Sequence, residues 1–341
     1  MAKLIRQPDR LVVAGAPTSA AAAAAGVEHG PEALRGQGIL DRLRDIGYQV
    51  SDVGDLPQRV FQPDPENPRA RNLKAVLATL ETLRARVEQA ARLHSFPLIL
   101  GGDGSILVAL VAGLRRQAAS LGLVHISRYA DLHTPTDTED GLIGPMTVSH
   151  LVGQGAAEMV RLWKSPPLVR EPDLVVFGLN ETDAIDQERL HSLAIRDFSV
   201  ARIRSLGVRA AAEASLEHLR GNDRDFVVHL SCDVFPSGEV PGCARGGEGG
   251  LSIVEVSEAM NFWAAHEKFA GLSFSGYNPE LDPDRRGARA ILDLIVGAMA
   301  ARHTALLQPA PASENAGEEK PVPSDGFADK ASDAKASDAK A

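Results

Sequence analysis

Eight short apolar runs, separated by segments of helical periodicity, restrict the fold of this 341-residue chain more than any other feature. They lie at residues 11–14, 48–53, 97–100, 121–126, 173–177, 195–198, 226–230 and 271–274. A strand with one face in water alternates apolar and polar residues. Runs such as LVVA and FVVHL are apolar almost throughout, as strands covered on both faces must be. The intervening segments supply the cover. The clearest spans 70–94, where Leu73, Val76, Leu77, Leu80, Leu83 and Val87 recur at helical spacing. The pattern predicts an α/β fold, a three-layer αβα domain on a mostly parallel sheet of about eight strands. In such sheets ligands bind beyond the carboxyl ends of the strands, so the segments after each run carry the functional information.

The predicted domain covers residues 1–307. Residues 308–341, rich in Pro, Ala, Asp and Lys with a repeated ASDAK unit, bury too little apolar surface to offset their ordering entropy and are expected to be a disordered tail. The net charge of −9 argues against nucleic acid as a partner. Two cysteines, Cys232 and Cys243, imply no disulfide framework and fit a reducing, cytoplasmic setting. No apolar run approaches the roughly 20 residues of a membrane span, and the N-terminus is a poor signal peptide. The alanine run at 20–25 reads as relaxed surface or small-residue packing rather than a binding device.

Five segments then follow one another in a telling order. GAPTS with GVEHGPEALR (26–35) comes first, Pro31 suiting the first turn of a helix. LILGGDGS, HISRYADLHTP, HLSCDV and GYNPELD follow, each at or just beyond the end of an apolar run. Together they resemble the arginase/agmatinase family, the ureohydrolases, across roughly residues 10–305. The resemblance implies the arginase-like fold and hydrolysis of a guanidino or amidino carbon by hydroxide bridging two Mn²⁺ ions. Paired dications need several carboxylates for charge balance and imidazoles to complete their shells; in return they lower the pKa of bound water from about 15.7 toward neutrality.

The six ligand positions that the resemblance implies are mostly altered. The first histidine falls at Gly104, the leading aspartate of the next motif at Ser127 and its histidine at Tyr129, while Asp131 is retained. In HLSCDV two registers are open. Either Ser231 replaces the first aspartate and Asp233 is the second, or Asp233 is the first and Phe235 replaces the second; the parallel with Ser127 favours the former. Two ligands of six remain in both. The proton-shuttling histidine falls at Gly144 and the guanidinium-binding glutamate at Gly276. Gly104, Ser127, Tyr129, Gly144, Ser231 and Gly276 therefore outline a vestigial pocket, and no metal or other cofactor is expected in it.

The remaining polar residues have structural readings beside functional ones. Asp103, in a Gly-Gly-Asp turn, is expected to accept backbone N–H groups. Asp131, His133 and Asp233 are weak candidates for a single divalent ion. Tyr129 is expected to fill the vacated metal volume with its hydroxyl near Asp131, and Arg128 to point to the opposite face of its strand. Cys232 should point into packing, and His125, His229 and His150 read as core histidines. Residues 246–250 (GGEGG) read as a flexible pocket loop rather than a phosphate loop.

These expectations combine into a non-catalytic arginase-like protein, a pseudoenzyme lacking two-manganese activity. It would take a small guanidino- or amino-acid-like ligand through Asp103, Asp131, His133, Asp233 and Asn278, or assemble as a homo-oligomer or with an active relative. The alternatives are a ureohydrolase-class hydrolase with a non-standard single metal (Mn or another divalent ion), or a metal-free enzyme reusing Asp131, His133 and Asp233 as acid and base.

Overall fold

The computed structural model describes residues 4, 6–161, 166–220 and 224–307. The expected tail lies outside the described residues. All eight apolar runs form strands: β1 (Arg10–Ala16), β2 (Gln49–Asp55), β3 (Phe96–Gly101), β4 (Gly122–Ile126), β5 (Leu174–Leu179), β6 (Arg196–Ser199), β7 (Phe226–Ser231) and β8 (Phe269–Ser275). They make one sheet in the order β2-β1-β3-β8-β7-β4-β5-β6, and every pairing is parallel.

Because side chains alternate across a strand, each apolar run feeds two cores. Leu98, Leu100, Val124, Ile126, Val175 and Phe177 face one layer, with Ile203, Leu216, Trp263 and Ile295 from the covering helices. Ile99, Leu123, Leu174 and Val176 face the other, against Leu80, Leu83, Leu107 and Leu110. The second layer includes the predicted helix, which runs Leu73–Arg92 rather than 70–94. Its start is displaced because Arg71 N–H donates to Gly141 O and Asn72 N–H to an Asp64 carboxylate, so these donors are used outside the helix. At the other end His94 turns left-handed and Ser95 N–H returns to Ala90 O, which ends the helix by the usual carbonyl-satisfying turn.

The helix Arg286–Leu307 is, by length and a mean hydropathy of 1.5, apolar enough to cross a membrane. Its residues Ala288, Ile291, Ile295 and Met299 are instead buried in the first core. Arg302 on the same helix is fully buried, donating to Pro8 O and the Tyr48 hydroxyl.

The parallel order brings the carboxyl ends of β3, β8, β7 and β4 side by side at the middle of the sheet. The register of β4 on β7 pairs His125 with His229 and Ile126 with Leu230, so the two chains leave the sheet at the same level. The motif-bearing segments therefore converge on one edge.

Candidate functional site

Two cavities open at that edge. The inner one, about 460 Å³, lies directly over the strand ends, and the outer cleft, about 880 Å³, lies over the segment after β5. Asp103, Gly104, Asp131 and Gly144 line the inner cavity, as do Ser231, Asp233, Gly276 and Asn278. Tyr129 and His133 line the outer cleft, and Asp131 lines both. Ser127 is fully buried beneath the floor. Sequence positions spread over some 170 residues are thus brought to one place.

Several of these groups are engaged in holding the backbone. Asp103 accepts from the Thr18 hydroxyl (3.2 Å), Ala21 N–H (3.0 Å), Ser105 N–H (3.0 Å) and the Ser105 hydroxyl (2.5 Å). Burial nonetheless pushes its pKa up against these bonds. Asn278 Oδ1 accepts Glu280 N–H and closes the turn after β8. Gly276 has φ of +85°, which favours glycine at this place in the wall. Gly104 faces open space, since a Cβ there would meet nothing nearer than the Ser275 hydroxyl at 3.8 Å.

Asp131 and Asp233 are the retained carboxylates. One oxygen of Asp131 lies 3.2 Å from His125 Nε2, and the other is buried without a hydrogen bond, 3.6 Å from the Arg245 guanidinium. Burial raises the Asp131 pKa, but His125 and Arg245 outweigh it and hold the carboxyl below its usual value. Asp233 accepts from the Ser127 hydroxyl at 3.1 Å and Arg128 N–H at 3.0 Å. For this residue burial and the neighbouring Asp131 prevail over Arg245, so its pKa is raised. Phe235, two residues on, is fully buried in the apolar core, so a single carboxylate remains in this segment under either alignment.

Arg245 was not anticipated from the sequence. Its guanidinium stacks on the Tyr129 ring, 4.1 Å from the centroid, while the Tyr129 hydroxyl donates to Arg245 O at 3.4 Å. Tyr129 was expected to place its hydroxyl near Asp131; it supplies a platform for Arg245 instead. Burial opposes the Arg245 charge, but Asp131 and Asp233 more than compensate, and its pKa rises. The segment carrying Arg245 is held from below by Arg128, which does point away from the pocket. Its guanidinium donates to Asp233 O (3.0 Å), Glu248 O (3.1 Å) and Gly249 O (2.8 Å) and pairs with Glu181 (2.8 Å). Glycine is required at 250, where φ is +106° and a Cβ would lie 2.3 Å from Val234 O.

His133 does not join Asp131 and Asp233 in one ligand set as the sequence suggested. Its Nε2 lies 2.7 Å from Asp183, and with Asp186 these two bring potential ligand atoms within 4.8 Å of one another. Asp183 also caps the helix Ala184–Ser192 by accepting Asp186 N–H, and Asp186 accepts Leu132 N–H. Burial and the charges of Asp131 and Asp183 push the Asp186 pKa up to about 6. This pair was missed, although both residues lie just beyond the carboxyl end of β5, where the fold rule directs attention. The alanine run lies beside the site: residues 21–25 form a wall of the inner cavity.

His229 lines the inner cavity, and it, His125 and His150 are all buried. His229 Nδ1 and Nε2 bond the Ser273 and Ser275 hydroxyls at 2.7 and 3.1 Å, and its ring stacks on His125. Burial and His125 hold its pKa well below the ordinary value. His150 is buried outside both cavities, with its pKa depressed by burial to about 4. Both cysteines are free and buried, Cys232 in the first core.

The sequence model of the arginase family matches residues 9–301. The chain belongs to the arginase family. The arginase of Bacillus subtilis is 29% identical over 287 residues, covering 83% of this chain and 95% of that protein. The arginase of Bacillus caldovelox is 28% identical over 289 residues, with the same coverage. The crystal structure of arginase from Bacillus cereus superposes with a TM-score of 0.79 at 28% identity, over 85% of this chain and 97% of that one. The manganese pair that family membership implies does not fit the residues of this arginase-family chain. Gly104 offers no donor, one oxygen of Asp233 already takes two hydrogen bonds, and Asp131 faces a guanidinium. Two dications beside Asp131 would lie against the positive charge of Arg245, with Asp131 and Asp233 as the carboxylates to hold them.

Proposed function

We propose that this arginase-family chain is a pseudoenzyme that performs no two-manganese hydrolysis and binds a small guanidino- or amino-acid-like ligand in the retained pocket. The observation that carries this is charge compensation at Asp131, which is matched by His125 and Arg245, while Asp233 is tied into the scaffold by the Ser127 hydroxyl and Arg128 N–H. The cavities have the size of small-molecule sites, which run to roughly 300–1,000 Å³. Polar walls at Asn278, Asp140 and Asp183 would orient such a ligand. A role in an oligomer, with itself or with an active relative, belongs to the same reading.

The test is elemental analysis after incubation with Mn²⁺, with urea release measured on arginine and agmatine. The expected result is substoichiometric metal, no urea, and a thermal shift with one of the two compounds. Stoichiometric manganese together with urea release would defeat the proposal. Light scattering, alone and with an active relative, tests the assembly.

A second reading, a ureohydrolase-class hydrolase with one non-standard metal, is favoured by a single observation. His133, Asp183 and Asp186 could hold one divalent ion beside the outer cleft. One equivalent of metal, lost from a His133→Ala variant, would select it.

A further inference from the structure

Asp131, Asp140, Pro145 and Arg245 line both the inner cavity and the outer cleft. They form the partition between the two. In that partition the Arg245 guanidinium lies 3.6 Å from the Asp131 oxygen that has no hydrogen bond, and rests on the Tyr129 ring. We propose that the Arg245 side chain is the built-in cation of this pocket, neutralising Asp131 in place of a bound metal from its position between the inner cavity and the outer cleft, so that a second cation reaches Asp131 only by displacing it. This rests on the reading that the pocket holds no manganese pair.

Three physical facts support the assignment. A carboxylate oxygen buried without a hydrogen bond costs free energy unless a positive charge stands nearby, and the Arg245 guanidinium stands 3.6 Å from that oxygen of Asp131. A guanidinium on an aromatic face is attracted by the ring quadrupole, which holds it without using its N–H donors. The holding is also incomplete. The Arg245 side chain is 40% exposed, and its distance to Asp131 is too long for a hydrogen bond. The backbone that carries it is fixed by Arg128 at Glu248 O and Gly249 O, so the side chain can swing while its anchor stays.

The experiment removes the tethered cation and offers a free one. Thermal melts of wild type, Arg245→Gly and Arg245→Gln are recorded with guanidinium ion at low millimolar concentration, with tetramethylammonium as a cation lacking N–H donors. Arg245→Gly should gain a saturable rise of about 2–4 °C with guanidinium and none with tetramethylammonium, while wild type gains nothing. The gain should vanish in Arg245→Gly/Asp131→Asn. Because residue 245 is exposed, both variants should fold; Arg245→Gln tests the same gain with the space partly filled. No gain in either single variant, or a gain that survives Asp131→Asn, overturns the proposal. Stoichiometric manganese with urea release from wild type would instead defeat the proposed function, so the two failures are distinguishable.

Discussion

The Ser127 hydroxyl donates to an Asp233 carboxylate oxygen across 3.1 Å, tying the end of β4 to the turn after β7. The same oxygen accepts Arg128 N–H, so the carboxylate nearest the cavity floor is an element of the backbone scaffold. A residue in the position of a metal ligand has become a clamp between neighbouring strands. Arg128, the next residue, extends that clamp to the segment bearing Arg245.

Replacing Arg128 by Met should therefore act on both stability and the pocket. The guanidinium is fully buried, and its loss leaves three carbonyls without their donor. The expected cost is about 1–3 kcal/mol, the penalty for acceptors left without a donor. Urea denaturation reads it directly, and a change below 1 kcal/mol would show that the carbonyls are satisfied another way.

Metal binding should be recoverable only in steps. Gly104→His has room, and with Ser127→Asp, Tyr129→His and Ser231→Asp it restores donors around Asp131 and Asp233. Alone, this set still faces the Arg245 charge. Adding Arg245→Gly should tighten Mn²⁺ binding by about 10–100-fold, the range that groups beside metal ligands typically command. Equal manganese uptake with and without Arg245, measured by equilibrium dialysis, would count against the charge argument.

Asp186 predicts a pH dependence. Its carboxyl titrates near 6 in the folded protein, above the value of about 3.9 for a free side chain. The folded state thus holds more protons than the unfolded state between those values, and stability falls as pH rises through that window. Asp186→Asn keeps an acceptor for Leu132 N–H and removes the charge. It should be near neutral at pH 4 and stabilising by roughly 2 kcal/mol at pH 8, in EDTA. A difference between the variants that stays constant with pH would show that Asp186 is not the titrating group.

The fold was legible in the chain because apolar runs buried on two faces leave a periodic trace, and all eight became strands. The altered positions at Gly104, Ser127 and Tyr129 were equally visible, since a missing donor is a property of residue type. The charge that faces Asp131 was not visible. Arg245 sits in a glycine-rich segment with no periodicity, and nothing local shows that its guanidinium meets Asp131, 114 positions earlier in the chain. His133 likewise lay two residues from Asp131 in sequence yet turned to Asp183 across the edge of the sheet. Sequence determined which charges the pocket lost. Only the tertiary structure decided which charge came in to balance the ones that remained, because electrostatic energy depends on distance in space and on burial, and neither is set by neighbours along the chain.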